Sequence, residues 1–285
     1  MTDLKRQDEL RTQLETFGDP RKTWRWREGD PDYVASLKLT PNDVPQLLAV
    51  TREWVERTDW PEDEAGMSVY APMHAWRSLA QLKAADAVSV LLEMLGPMDE
   101  RMDDWHLEEF PHAFAWIGPA ALDLLEAYLR EPLHPEFARI CVAHGMQEIA
   151  AAHDEQRDRV ANSLAQQLEP FEQQPASLNA FLVSSLLKLK AVSAVDVIER
   201  AFAADAVDVS VVGNWNQVRE ELGVEGQGLV PESLASQRLH PLFPMPPADI
   251  SLPSHRSSHP PALGRDRRRI ERKRERRNRK RGRRR

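Results

Sequence analysis

Residues 74–95 read HAWRSLAQLKAADAVSVLLEML, and residues 182–202 read LVSSLLKLKAVSAVDVIERAF. In both, an apolar run with residues three and four apart gives way to a short turn of small residues, and a second amphipathic run follows. That spacing is helical; no comparable stretch alternates apolar and polar residues as a half-buried strand would. Residues 112–129, HAFAWIGPAALDLLEAYL, and residues 144–168, HGMQEIAAAHDEQRDRVANSLAQQL, repeat the pattern. The spacing predicts that the first helix of each unit ends at Leu82, Ile117, Ile149 or Leu189. These anchors lie 35, 32 and 40 residues apart, a period typical of stacked helical hairpins. A single hairpin cannot bury its own apolar face, so neighbours must share a core.

The same reading extends in both directions. Toward the N-terminus, Leu4, Leu10, Leu14 and Phe17 predict one helical face, and Gly18 with Pro20 a stop. A second helix is expected after Thr40, where a threonine cap, Pro41 at the first helical position and Asp43 in the first turn coincide. Val44, Leu47, Leu48, Trp54 and Val55 supply its apolar residues. Toward the C-terminus the character changes after Gly228. Residues 229–264 hold 8 prolines among 36, and proline both removes donors and resists helix, so a linker is expected. The predicted organisation is an N-terminal helix and arm over 1–40, an all-α solenoid of stacked hairpins over 41–228, the proline-rich linker over 229–264, and a disordered tail over 265–285.

Two phrases carry a family resemblance: Ser78-Leu79-Ala80-Gln81-Leu82-Lys83-Ala84-Ala85-Asp86-Ala87-Val88, and Ala115-Trp116-Ile117-Gly118-Pro119-Ala120-Ala121. Both resemble PBS-lyase-type HEAT repeats, over roughly residues 69–205. The resemblance implies a HEAT-like α-solenoid and an adaptor-like role. The founders of that class attach bilin pigments, whereas stacking alone implies no chemistry. The acidic stretch Gly96–Trp105 departs from the short-repeat pattern and reads as an insert.

Charge divides the chain more sharply than its net value of −7 suggests. Residues 265–285, RDRRRIERKRERRNRKRGRRR, hold 15 basic and 3 acidic side chains, a surplus of twelve, so the remainder carries −19. Fifteen cations in 21 residues repel one another and build no core. Phosphate polyanions would relieve the repulsion and release counterions. Arginine outnumbers lysine 13 to 2, which favours bidentate phosphate contact and stacking on bases. The expected nucleic-acid contacts are Arg267, Arg268, Arg269, Arg272, Lys273, Arg274, Arg276, Arg277, Arg279, Lys280 and Arg281, directed at RNA, the ribosome or DNA.

The acidic residues Asp99, Asp103, Asp104 and Glu108, beside Glu100 and Glu109, repel nucleic acid; as protein contacts they suit a basic partner or the chain's own tail, and the plainer reading is a solvated helix face and loop. Trp24 and Trp26, interleaved with Arg25 and Arg27, suit cation–π contact or stacking; the plainer reading packs both indoles onto the first hairpin. Trp54, Trp60, Trp76, Trp105 and Trp116 read as core or groove residues. No metal or cofactor is expected. Pro111 is expected to break the helix that would join Glu109 to His112, and His144 with Glu148 makes one pair where a catalytic site needs about three ligands. Cys141 lies in an apolar run and reads as a buried structural thiol. A single cysteine excludes an internal disulfide, the N-terminus MTDLKRQDEL is too polar for a signal peptide, and no apolar stretch approaches the roughly 20 residues of a membrane span. The expectation is a cytoplasmic protein that does not act on membranes.

The leading expectation is therefore a non-enzymatic scaffold whose solenoid engages a protein and whose tail binds phosphates. A protein-only adaptor or assembly factor with an autoinhibitory tail is the alternative. Two enzymatic readings are more remote. HEAT-like DNA glycosylases use Trp, Asp and Arg in a basic groove, where this repeat region is acidic; a bilin lyase would need an active-site motif beyond the repeats.

Overall fold

The computed structural model describes residues 3–20, 31–56 and 68–224; Trp24, Trp26, Trp60, the proline-rich segment and the arginine-rich tail lie outside the described residues. Every regular element among the described residues is helical. They divide into two compact units, one ending at Val160 and the other beginning at Ala161.

The first unit opens with α1 (Asp3–Glu15) and the short α2 (Tyr33–Leu37), followed by α3 (Val44–Glu56). Three hairpin elements come next: α4 (Ala71–Gln81) with α5 (Ala87–Glu100), α6 (Trp105–Ile117) with α7 (Leu122–Arg130), and α8 (Glu136–Ala152) with α9 (Arg157–Leu168). The unit boundary falls within α9. The second unit continues with α10 (Ala176–Lys188), α11 (Val195–Ala203), the single turn α12 (Val209–Val212) and α13 (Trp215–Leu222). In both units, packing runs largely between helices that are neighbours in the chain order of hairpins.

One turn recurs. Lys38, Lys83 and Lys190 follow the first helix of three hairpins with φ of 51°, 53° and 51°. Each closes a Schellman cap: the amides of Leu39, Ala84 and Ala191 reach back five residues to the carbonyls of Val34, Leu79 and Leu186. Gly118 fills the same place with φ 90°. Four second helices are then entered through a single 3-10 turn, at Pro41–Asp43, Pro119–Ala121, Asp154–Gln156 and Val192–Ala194. The α2–α3 pair is therefore a truncated copy of the hairpin, and its first helix lies ahead of residue 41, where the stacked hairpins were expected to begin.

The first helices end close to their predicted anchors. Leu82 and Leu189 are C-caps, and α6 ends on Ile117. α8 overruns Ile149 to Ala152, because Ala150, Ala151 and Ala152 are strong helix formers and nothing stops them before His153. Two expectations fail at prolines. Pro111 lies inside an unbroken α6, and Pro97 inside α5, so Gly96–Glu100 is the last turn of a helix and not a looped insert. A proline forfeits one ladder bond and bends a helix; packing on the flanking turns outweighs that loss here. Leu4 also departs from its expected face, being 74% exposed while Leu10 and Leu14 are fully buried. Six residues separate it from Leu10, a rotation of about 240° around the helix.

Asp43 shows how the N-terminal helix is fastened. Its carboxylate accepts from the Thr40 amide at 2.8 Å, the Thr40 hydroxyl at 3.0 Å and Arg6 Nε at 2.8 Å. Burial alone would raise its pKa, but Arg6 and Thr40 together hold the carboxyl below its usual value. Arg11 adds a second link to Glu53 at 3.0 Å.

Candidate functional site

The acidic stretch singled out from the sequence forms the turn between α5 and α6. Met102 takes a left-handed φ of 55°, and the Asp103 amide reaches back to the Met98 carbonyl at 2.9 Å. Asp103 does not project outward as expected of a docking carboxylate. Its Oδ2 accepts from Trp54 Nε1 at 2.6 Å and its Oδ1 from the Trp105 amide at 3.0 Å. Arg101 donates to the carbonyls of Trp54 and Val55 at 3.3 and 2.5 Å, satisfying acceptors that the end of α3 leaves open. The turn thus clamps α3. Asp99, Asp104 and Glu108 are half-buried around it, and Glu100 is exposed.

Glu109, read with that stretch, faces the opposite way. It receives Arg77 Nε at 2.8 Å and Arg77 Nη2 at 2.6 Å, a bidentate pair between α6 and α4 with 7% and 2% of the two side chains exposed. Trp76 Nε1 also donates to Glu109 Oε2, at 3.4 Å. Around this pair runs an aromatic ladder: Trp54 to Trp76 at 5.5 Å, Trp76 to Phe110 at 5.3 Å and Phe110 to Phe114 at 6.2 Å between ring centres, all edge-on. The ladder places Trp76 in the core and Trp54 half-buried at its edge.

His74 joins the N-terminal segment to α4. The Gly18 carbonyl accepts from its Nε2 at 2.9 Å, which fixes Nδ1 as the acceptor of the Tyr33 hydroxyl at 2.6 Å. Gln81 completes the seam, taking the Tyr33 amide at 2.8 Å and donating to the Pro31 carbonyl at 3.0 Å. Desolvation by burial pushes the His74 pKa down to about 4, so the imidazole is neutral near pH 7. None of this was visible from single histidine or tyrosine positions; the signal present in the sequence was helical phase, which puts His74, Arg77 and Trp76 on a helix buried all round.

Elsewhere the candidate residues take structural places. Cys141 is buried, donates toward the His106 carbonyl at 3.3 Å, and has its thiol pKa raised by desolvation, as its apolar surroundings predicted. His144 Nε2 lies 3.2 Å from Glu148 Oε1. α6 runs unbroken through Pro111, which was expected to break the helix joining Glu109 to His112; Glu109 instead pairs with Arg77. Among the described residues no three or more His, Cys, Asp or Glu converge as metal ligands, and no helix is long and apolar enough to cross a membrane.

The second unit holds its own polar network. Gln174 Nε2 donates to Asn179 Oδ1 at 2.7 Å and to the Gln167 carbonyl at 2.8 Å, and Asn179 Nδ2 donates to the carbonyls of Phe171 and Ala206, both at 2.8 Å. Asn179 is fully buried. It ties the start of α10 to the turn before it and to the turn after α11.

Comparison of the chain with protein-family models, with curated proteins and with solved structures returned no match in any of the three. The chain is an all-helical protein to which no family is assigned.

Proposed function

We propose that the chain is a binding scaffold of HEAT-like helical hairpins, whose body engages a protein partner and whose arginine-rich tail holds RNA, ribosomal or DNA phosphates. One observation carries the reading: twelve surplus positive charges in the last 21 residues, against −19 in everything before them. A body of that sign repels phosphate backbones, while the tail attracts them. The proline-rich segment between them gives the two functions separate reach. Joining two modest contacts in one chain raises the effective concentration of each at the other.

The test is a salt titration of binding to single-stranded RNA and to duplex DNA, with the full chain and with residues 1–264. The expected result is binding by the full chain alone, weakly dependent on sequence. Its log affinity should fall with log salt at roughly 0.7–0.9 per phosphate contacted. Equal binding by both forms, or none by either near physiological salt, would reject the tail's role.

A further inference from the structure

Lysine is placed more selectively in this chain than arginine. Six lysines precede residue 265, and four of them, Lys38, Lys83, Lys188 and Lys190, stand at the C-terminal ends of α2, α4 and α10. All four are exposed, and among the described residues none makes an ion pair or a side-chain hydrogen bond. The arginines of the same helices and their neighbours are used differently: Arg6 holds Asp43, Arg11 holds Glu53, Arg77 holds Glu109 and Arg200 holds Glu169. Lys38, Lys83 and Lys190 also take left-handed φ near 50°, a conformation that costs a side chain and spares glycine. Gly118 shows that glycine serves the same turn. A cation at a helix C-terminus offsets part of that cost by meeting the macrodipole. In α10 that place is already taken by Lys188, inside the last turn and ahead of Lys190.

The charge at these turns runs against the net charge of the body. α2, α4 and α10 contain no acidic residue, whereas α6 and α8, followed by Gly118 and His153 in place of lysine, do. No Asp or Glu occurs from residue 33 to 42, from 68 to 85 or from 176 to 195. α2 packs on α4, and Gln81, two residues before Lys83, accepts from the Tyr33 amide at 2.8 Å. Lys38 lies five residues along α2 from that contact, about 7.5 Å of helix, a span that a few extended residues of another chain cover. A lysine is a point charge on a flexible stem, suited to one carboxylate at a time. The one arginine of these three helices, Arg77, is buried against Glu109, so no guanidinium fork is offered to phosphate. We propose that the lysine turns, Lys38 with Lys83 in the first unit and Lys188 with Lys190 in the second, bind carboxylates of an acidic protein segment. This deepens the scaffold reading, on which it rests, by naming the chemistry of the protein partner.

The experiment acetylates the lysines of the full chain at limiting reagent and reads each by mass spectrometry: alone, with oligo-glutamate, and with single-stranded RNA of equal charge. Oligo-glutamate should slow modification of Lys38, Lys83, Lys188 and Lys190 about two- to fivefold, the range of an exposed ion pair. Lys5, already beside Glu9, should be unchanged. RNA should slow Lys273 and Lys280 and leave the turns alone. Lys83→Gln should weaken the protection of Lys38 and not that of Lys190. Arg130→Gln, which removes an exposed cation at the end of α7, should change none of them. Circular dichroism checks that both variants keep their helicity. Oligo-glutamate protection confined to Lys273 and Lys280, equal slowing of Lys5, or equal slowing of the turns by RNA would each overturn the proposal. The same footprint separates the two readings. Loss of RNA protection at Lys273 and Lys280 rejects the tail's role and leaves the turns standing, whereas unprotected turns beside an RNA-protected tail reject the turns alone.

Discussion

The two units repeat one hairpin and close it over different chemistry. In the first, the polar groups taken into the core include ones that can ionise: Arg77 and Glu109 as a bidentate pair, and His74 as a neutral imidazole between Tyr33 and Gly18. In the second, the fully buried polar side chain is an amide, Asn179, satisfied by two carbonyls and Gln174. The contrast shows that the repeat specifies helix, turn and apolar seam, and leaves the polar filling of each unit to its own residues. It also makes the first unit answer to charge and pH in a way the second does not.

The largest expected effect breaks the first unit at its ion pair. Glu109→Gln removes the carboxylate that takes the buried Arg77 guanidinium through two hydrogen bonds and should cost about 3–5 kcal/mol. Arg77→Met combined with Glu109→Leu removes both charges and should recover most of that loss, since desolvation offsets much of what a buried pair contributes. Chemical denaturation of Arg77→Met, Glu109→Leu and their double variant measures the coupling directly. A double variant no more stable than Glu109→Gln would show that the hydrogen-bond geometry, including Trp76, outweighs the charge.

Acid is the next way to separate the units. The folded pKa of His74 lies near 4, below the usual value of about 6.5. Between those values the unfolded chain binds the proton and the folded one does not, so stability falls as the pH drops from about 6.5 to 4 and levels off below. The full effect is on the order of 3 kcal/mol. Asp43, whose pKa is lowered, works in the same direction but further into acid, below its usual carboxylate value. His74→Gln should flatten the upper window. Amide-exchange protection in α4 should weaken across it before that in α10; simultaneous loss would mean the two units open together.

For the second unit the matching break is Asn179→Leu, close in volume and without the amide. It leaves the carbonyls of Phe171 and Ala206 short of a donor and should cost about 1–3 kcal/mol. The cost should not vary between pH 4 and 7, because the amides and carbonyls that Asn179 joins do not titrate there. A pH-dependent penalty would show that the network is coupled to a carboxylate.

These differences explain what could be read beforehand. Helical phase located the hairpins, because apolar residues on one face must recur every three or four positions whatever they touch. The same phase correctly treated Cys141 and Trp76 as interior. It misjudged Glu109, since a run of acids looks like a solvated patch until the helix turns one member inward toward an arginine 32 residues earlier. It misjudged Pro111 because intrinsic propensity was weighed without the packing that overrides it. It placed residues 41–56 in the solenoid but missed α2 as the first helix of their hairpin, because α2 has been cut to five residues, too few to show a period. Asp103 was read as a docking group, yet its acceptors serve Trp54 and the next helix, a use that depends on a turn no pattern announced.

The smallest effect tests what the two units share. Lys83 in the first and Lys190 in the second hold left-handed φ near 50°, where a side chain crowds its own backbone and glycine does not. Neither lysine supplies the cap; their backbone amides do, and the Schellman bonds from Ala84 and Ala191 depend on conformation alone. Replacement by glycine relieves the strain but adds freedom to the unfolded chain, so the net gain should be modest, about 0.5–1 kcal/mol at each position. Lys83→Gly and Lys190→Gly should therefore raise the midpoint of thermal unfolding by similar small amounts, and do so additively because each cap closes within its own turn. Equal gains would identify the turn as the repeated unit of stability beneath two different cores. A gain at one site and a loss at the other would show that the lysine side chain has been recruited locally, and that even the turn is particular to its unit.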